Sequence, residues 1–238
     1  MFSIVFKFET EQGPMSDKIR VNQAYDRCLT NLQQEIIQRE INPNSFDLHL
    51  RVYKVEELLE AWIKNKESKE WALFKQYPFC VNSGKPGPKR KEGDRQIPEG
   101  FYHIDRFNPV SKFHLSLGLN YPNEGDRKLG APHKPGSDVF IHGGCKSVGC
   151  IAITDNLIAE LYVLASEAKA QRQMEIPVRI FPCKMNGNEL LELEKKMPEH
   201  SHLWKQLKME DDYFRDSKKL KPFIIGADGD YQYTSSKY

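Results

Sequence analysis

The chain of 238 residues has no run of about 18 apolar residues, which excludes a membrane-spanning helix. It has no excess of one charge: 35 lysines and arginines face 33 acidic residues, a net +2. So even a balance leaves no electrostatic footprint for nucleic acid or an anionic bilayer. It has no C-x-x-C, and its five cysteines, Cys28, Cys80, Cys145, Cys150 and Cys183, are too sparse for a dense disulfide scaffold. Their odd number leaves at least one thiol unpaired within the chain. No internal repeat or low-complexity tract is present. Met1–Thr10 does not read as a secretory leader, because its apolar stretch is brief, has no basic start and is broken by Lys7 and Glu9.

What is present is a globular composition, 39% apolar and 29% charged. A disordered chain has fewer apolar residues and a stronger net charge. At roughly 150 residues per domain the length is that of one large domain, or one domain with appendages.

Ile19, Val21, Tyr25, Cys28, Leu29, Leu32, Ile36 and Ile37 recur mostly at helical spacing between Ser16 and Ile41. Ser16 and Asp17 are candidate caps, and Asn42-Pro43-Asn44 closes the segment. The period then changes. Phe46, Leu48, Leu50 and Val52 alternate with polar residues, as in a strand with one buried face. Further strand-like runs lie at Trp71–Val81, Phe101–Phe107 and Lys112–Asn120; in the last, Phe113, Leu115, Leu117 and Leu119 are expected to share a face opposite His114, Ser116 and Asn120.

Ser83–Gly100 reads as a loop, with Lys89-Arg90-Lys91 as its solvated tip. Another loop, Tyr121–Gly136, leads to a short strand at Asp138–Ile141. Thr154 or Asp155 caps a helix running to about Gln173. Ile176–Phe181 reads as a strand, two helices follow from Asn186, and Asp228-Gly229 marks a two-residue hairpin turn within Pro222–Thr234. The class is mixed α+β, mainly antiparallel, with peripheral helices. Three parts are expected: a helical appendage over 1–45, a main domain over 46–185, and a helical and hairpin extension over 186–238.

Chemistry concentrates at 141–150, Ile-His-Gly-Gly-Cys-Lys-Ser-Val-Gly-Cys. Cysteine catalysis needs a thiolate, a base to form it and donors for the oxyanion. Cys150 lies shortly before a helix start, where the macrodipole favours a thiolate. The glycines let the chain bend and expose N–H groups, and His142 is placed to act as base. Blander readings stand beside this one. Cys150 is then a small core hydrophobe, His142 a core histidine, Cys145–Cys150 a disulfide, or His133, His142, Cys145 and Cys150 a zinc set whose spacing matches no common finger.

His142-Gly143 followed by Ser147-Val148-Gly149-Cys150 resembles the active-site signature of the YkuD-type L,D-transpeptidases, in particular the YafK-like branch that reads H-G-x-C-x-S-x-G-C. Other blocks look similar to that branch: Ser83-Gly84, Gly87-Pro88-Lys89, Gly93-Asp94, Pro98–Tyr102, His114-Leu115-Ser116, Tyr121-Pro122-Asn123 and Asp126-Arg127. The likeness continues through Ile176–Pro182, Trp204, Tyr213-Phe214 and Pro222.

The resemblance implies a β-sandwich or barrel catalytic domain and a cysteine enzyme acting on peptidoglycan stem peptides in the periplasm, with no cofactor or metal. A wall-anchored lipoprotein is a candidate partner. By position, Cys150 is the nucleophile, His142 the base and Gly143 the residue whose carbonyl orients the imidazole. Ser147 is a helper near the thiol, Gly149 and Cys150 supply oxyanion N–H groups, and Tyr102, His114 and Ser116 line a substrate groove. The chain departs from the broader family in its short interval between the motif halves, in Val148 where a histidine is usual, and in Ala152 where an arginine is usual. Three functions remain open: a transpeptidase, a hydrolase on the same scaffold (carboxypeptidase, or amidase releasing lipoprotein), and a non-catalytic wall-binding module.

Overall fold

Long-range pairing, more than local propensity, sets the strands of this protein. The computed structural model describes residues 15–130 and 132–234. Met1–Thr10 therefore lies outside the described residues, as do the side chains of Ser16 and Asp17. The strands β1 (Phe46–Tyr53), β2 (Leu58–Asn65), β3 (Ala72–Pro78), β4 (Gly100–Asn108), β5 (Ser116–Leu119), β6 (Phe140–His142), β7 (Ile151–Ala152) and β8 (Pro177–Phe181) form one sheet. Its order is β3-β2-β1-β8-β4-β5-β6-β7, antiparallel except at β1–β8 and β6–β7. The class is the mixed, mainly antiparallel one that the alternation at β1 predicts.

Strand β2 has no counterpart among the sequence expectations. Its residues, Leu-Leu-Glu-Ala-Trp-Ile-Lys-Asn, include several good helix formers. It is a strand because all eight positions pair with β1, from Leu58 opposite Tyr53 to Asn65 opposite Phe46, while β3 flanks it on the other side. Strand β5 is shorter than the alternation suggests. His114 takes a left-handed conformation (φ 68), so 112–115 turn instead of extending. Phe113 is thereby thrown off the buried face and is 40% exposed.

The N-terminal helix α1 (Met15–Gln38) packs along α3 (Asp155–Ala170) and buries Ala24, Cys28, Leu32 and Ile36 in the main core. It ends before the Asn-Pro-Asn. Glu40 is left-handed, its N–H donates to Ile37 and that of Ile41 to Ile36, the paired bonds of a Schellman cap with Ile36 and Ile41 both buried. Arg20 on α1 donates to the carbonyls of Ser111 and His114 at 2.7 and 2.8 Å, so this helix holds the turn that carries Phe113.

The C-terminal part adds α4 (Asn188–Lys196), a 3-10 turn (Pro198–His200), α5 (Ser201–Ser217) and a hairpin of β9 (Phe223–Ile225) and β10 (Tyr231–Tyr233). The hairpin turn is longer than two residues. It spans 226–230, closed by the Gly226 N–H on the Asp230 carbonyl, with Gly229 at φ +94. Trp204, Leu207 and Tyr231 form a second core with Tyr53, Phe101 and Phe181. A short helix, α2 (Glu124–Gly130), interrupts the stretch expected to be loop.

Segment 83–99 is anchored rather than solvated. The Asp94 carboxylate accepts the N–H groups of Arg90, Lys91 and Gln96 at 3.0, 3.0 and 3.1 Å. Lys54, fully buried, donates to the Gly87 and Ile97 carbonyls and to Glu99. Within Lys89-Arg90-Lys91, Lys89 is 7% exposed and Arg90 pairs with buried Asp126, leaving only Lys91 in solvent.

Candidate active site

The strands β6 and β7 lie side by side and parallel, with Ile141 opposite Ile151 and His142 opposite Ala152. Parallel neighbours usually need a crossover of a dozen or more residues. Here only 143–150 join them, so the connection must double back tightly. Gly144 (φ 63) and Gly149 (φ 96) supply the left-handed turns. Four tethers hold the loop. Cys145 forms a disulfide with Cys80, with Cα atoms 5.4 Å apart. The Gly144 N–H donates to the Asp155 carboxylate at 2.7 Å. That of Gly149 donates to Ser83 Oγ at 2.7 Å, and Ser147 Oγ bridges the Cys150 N–H and carbonyl at 3.0 and 2.7 Å.

Cys150 directly precedes β7, whose Ala152 lies opposite His142, and among the described residues no hydrogen bond joins its sulfur to the His142 imidazole. The imidazole is 3% exposed and packs against the Phe113 ring, with centroids 4.8 Å apart. Its Nδ1 lies 2.6 Å from the Gly143 carbonyl. A carbonyl only accepts, so Nδ1 carries the proton and Nε2 keeps the lone pair. Gly143 must be glycine for a steric reason: a Cβ would lie 2.9 Å from both Ile158 Cγ2 and the Phe113 carbonyl.

Burial lowers the His142 pKa, and the bond to Gly143 opposes that shift. Burial likewise raises the Cys150 thiol pKa, against the lowering effects of a backbone hydrogen bond with Phe140 and the Lys89 charge. Both shifts favour the uncharged forms, thiol for Cys150 and neutral imidazole for His142. The helix expectation is corrected here. Strand β7 and two further residues stand between Cys150 and the first residue of α3, so Cys150 is not itself a helix-start residue. Its sulfur lies 3.7 Å from the Asp138 carbonyl. The sulfur opens instead on a cavity lined by Lys89, Glu92, Asp138, Val148 and Gly149.

The other expected site residues fall in distinct places. Ser147 pins the Cys150 backbone through its hydroxyl. The N–H groups of Gly149 and Cys150, expected to face an oxyanion, are both taken by serine hydroxyls. Ser116 sits directly across from His142 in the β5–β6 register but is buried. His114 flanks the Phe113 turn, and its Nε2 is buried without a hydrogen-bond partner.

Tyr102 faces no groove. It is 2% exposed, with its hydroxyl on Asp126 Oδ2 at 3.0 Å, and it belongs to the core under α2. Ala152 is fully buried opposite His142. The disulfide to Cys80 takes Cys145 out of both the Cys145–Cys150 pairing and the zinc set. Lys89, Ser83, Asp138 and Phe113 are the site's unforeseen members. Ser83-Gly84 and Lys89 did stand within blocks similar to the family, which was the one signal available for them.

The match to known proteins is consistent along the chain. The family model described as "YkuD: L,D-transpeptidase catalytic domain" matches residues 48–180. The "Putative L,D-transpeptidase YafK" of Escherichia coli (strain K12) is 31% identical over 186 residues, 77% of this chain and 72% of that protein. Among solved structures, the helical cell shape determining protein Pgp2 of Campylobacter jejuni is 16% identical over 88% of this chain and 80% of its own, with a TM-score of 0.46. Bd1075 of Bdellovibrio bacteriovorus is 19% identical over 69% and 62%, with a TM-score of 0.42.

Proposed function

Since the chain belongs to the L,D-transpeptidase catalytic-domain (YkuD) family, we propose that it is a cysteine acyltransferase acting on peptidoglycan stem peptides in the cell envelope. The observation that carries this reading is the His142 Nδ1–H bond to the Gly143 carbonyl, which leaves Nε2 with its lone pair, while Cys150 directly precedes the strand that pairs with β6.

In this reading Nε2 takes the Cys150 thiol proton as the sulfur attacks the carbonyl carbon of the third stem residue. The amide C–N bond breaks, and the imidazolium returns the proton to the departing amine. A thioester remains. An amine that attacks it yields a cross-link or an anchored protein; water yields a trimmed stem peptide, or a lipoprotein released from the wall. The oxyanion requires donors beyond the two committed N–H groups, or an exchange of those bonds when substrate enters.

The deciding experiment incubates the protein with a tetrapeptide muropeptide, with and without an acceptor amine, and weighs the products. A cross-linked product identifies a transpeptidase and tripeptide alone a hydrolase. If neither forms while the peptide still binds, the protein is a wall-binding module and the proposal is overturned.

A further inference from the structure

Among the residues lining the cavity beside Cys150, Lys89 is the one cation. Its ammonium is buried, which is costly unless paired. Asp94 Oδ1 at 2.6 Å and the Lys91 carbonyl at 3.0 Å take two of its N–H groups. An ammonium has three, and among the described residues no partner takes the third. The counter-ion is itself held in place, since the Asp94 carboxylate accepts three backbone N–H groups of the same loop. Of the acidic side chains on the cavity wall, Asp138 is committed to Arg106 at 2.9 Å, and Glu92 is exposed. A dry, positioned cation with a spare donor, opening on a nucleophile, is built to receive an anion.

We propose that Lys89 makes this cavity a carboxylate-binding subsite, taking a carboxylate that the substrate carries beside the amide Cys150 attacks. His142 does not line the cavity. The departing amine must reach that imidazole, so the cavity lies on the acyl side, and the bound carboxylate belongs to the side chain of the residue that becomes the thioester. This assignment of the substrate rests on the acyl-transfer reading; the anion subsite does not.

Two measurements separate the parts. The first alkylates Cys150 with iodoacetate and with iodoacetamide, its neutral counterpart; in each the sulfur forms the new S–C bond and iodide leaves. The ratio of the two rates in the native protein is expected to exceed that of Lys89→Met by about tenfold, with Lys89→Arg restoring most of it. Because the neutral reagent reports on access to the same thiol, a general loosening of the loop would not move this ratio. An unchanged ratio overturns the proposal.

The second compares kcat/KM for a stem tetrapeptide with that for two amidated forms, one at the third-residue side chain and one at the C-terminus. Side-chain amidation is expected to cost the native enzyme tenfold or more and Lys89→Met almost nothing. Loss tied to the C-terminal carboxylate overturns the acyl-side assignment, and equal turnover of all three peptides overturns substrate recognition by Lys89. If the alkylation ratio responds but no peptide turns over, the acyl-transfer reading falls and the anion subsite stands.

Discussion

Two buried lysines hold the same loop and end differently. Lys54 donates to Gly87, Ile97 and Glu99, and the second oxygen of Glu99 accepts Trp204 Nε1–H at 2.7 Å. Every donor is used, and α5 covers the cluster. Lys89 fills two of three donors and faces a cavity. The first arrangement joins the C-terminal part to the sheet; the second stands beside Cys150, the proposed nucleophile. A buried charge with complete partners is architecture, whereas one left incomplete next to a reactive group is equipped for a ligand.

The largest expected effect falls at the open end. Cys150→Ala is expected to abolish turnover, and His142→Ala to lower it by about 10²–10⁴-fold, both with an unchanged melting temperature; a product assay beside a thermal melt checks this. Full activity in either variant would erase the functional side of the contrast.

The closed end is expected to respond in stability. Lys54→Met leaves Glu99 a fully buried charge without its cation, though the Gly87 N–H and Trp204 Nε1–H still donate to it, and should lose about 3–5 kcal/mol, the usual effect of removing one partner of a buried pair. Lys89→Met should lose about 1–2 kcal/mol, because Asp94 retains its backbone donors. Urea unfolding of the two variants measures both, and equal losses would show that the two lysines do not differ as described.

The tether between these regions ranks next. The Cys80–Cys145 disulfide closes a 65-residue separation, and Cys145→Ser is expected to lose about 2–4 kcal/mol. At temperatures where it stays folded, it should keep substantial activity, since Ser147 and Ser83 still hold the loop. A stable but inactive variant would mean that the disulfide itself shapes the attack position.

The smallest effect concerns protonation. Burial raises the Cys150 pKa, so at pH 7 the thiol is protonated to a greater extent than an ordinary cysteine. Its alkylation by iodoacetamide should be several-fold slower than that of a free thiol there, and should rise through an alkaline midpoint above the ordinary thiol range. A midpoint near pH 6 would instead indicate a resting thiolate paired with imidazolium.

Several features were open to reading along the chain. The helical period of 19–37, the alternation at 46–52 and the cluster of histidine, glycines and cysteines at 142–150 are local patterns, and each has a direct counterpart in the fold. Strand β2 was hidden because its residues suit a helix and only pairing with β1 and β3 overrides that preference. Lys89 was hidden because nothing in Lys89-Arg90-Lys91 distinguishes the buried member from the solvated one. The disulfide was hidden because five cysteines admit many pairings. The thiolate expectation relied on nearness in sequence to a helix, whereas burial, which raises the Cys150 pKa, depends on neighbours from elsewhere in the chain.

The chain's own order of residues was enough to determine which groups the segment has to work with: one histidine, two cysteines and the glycines that let the chain bend between them. Their state was decided only in three dimensions. Ser83 closes on Gly149 across 66 residues, Cys80 on Cys145 across 65, and Lys89 on the cavity of Cys150. Burial, protonation and spare hydrogen-bonding capacity depend on the neighbours that remove water, and most of those neighbours come from distant parts of the chain.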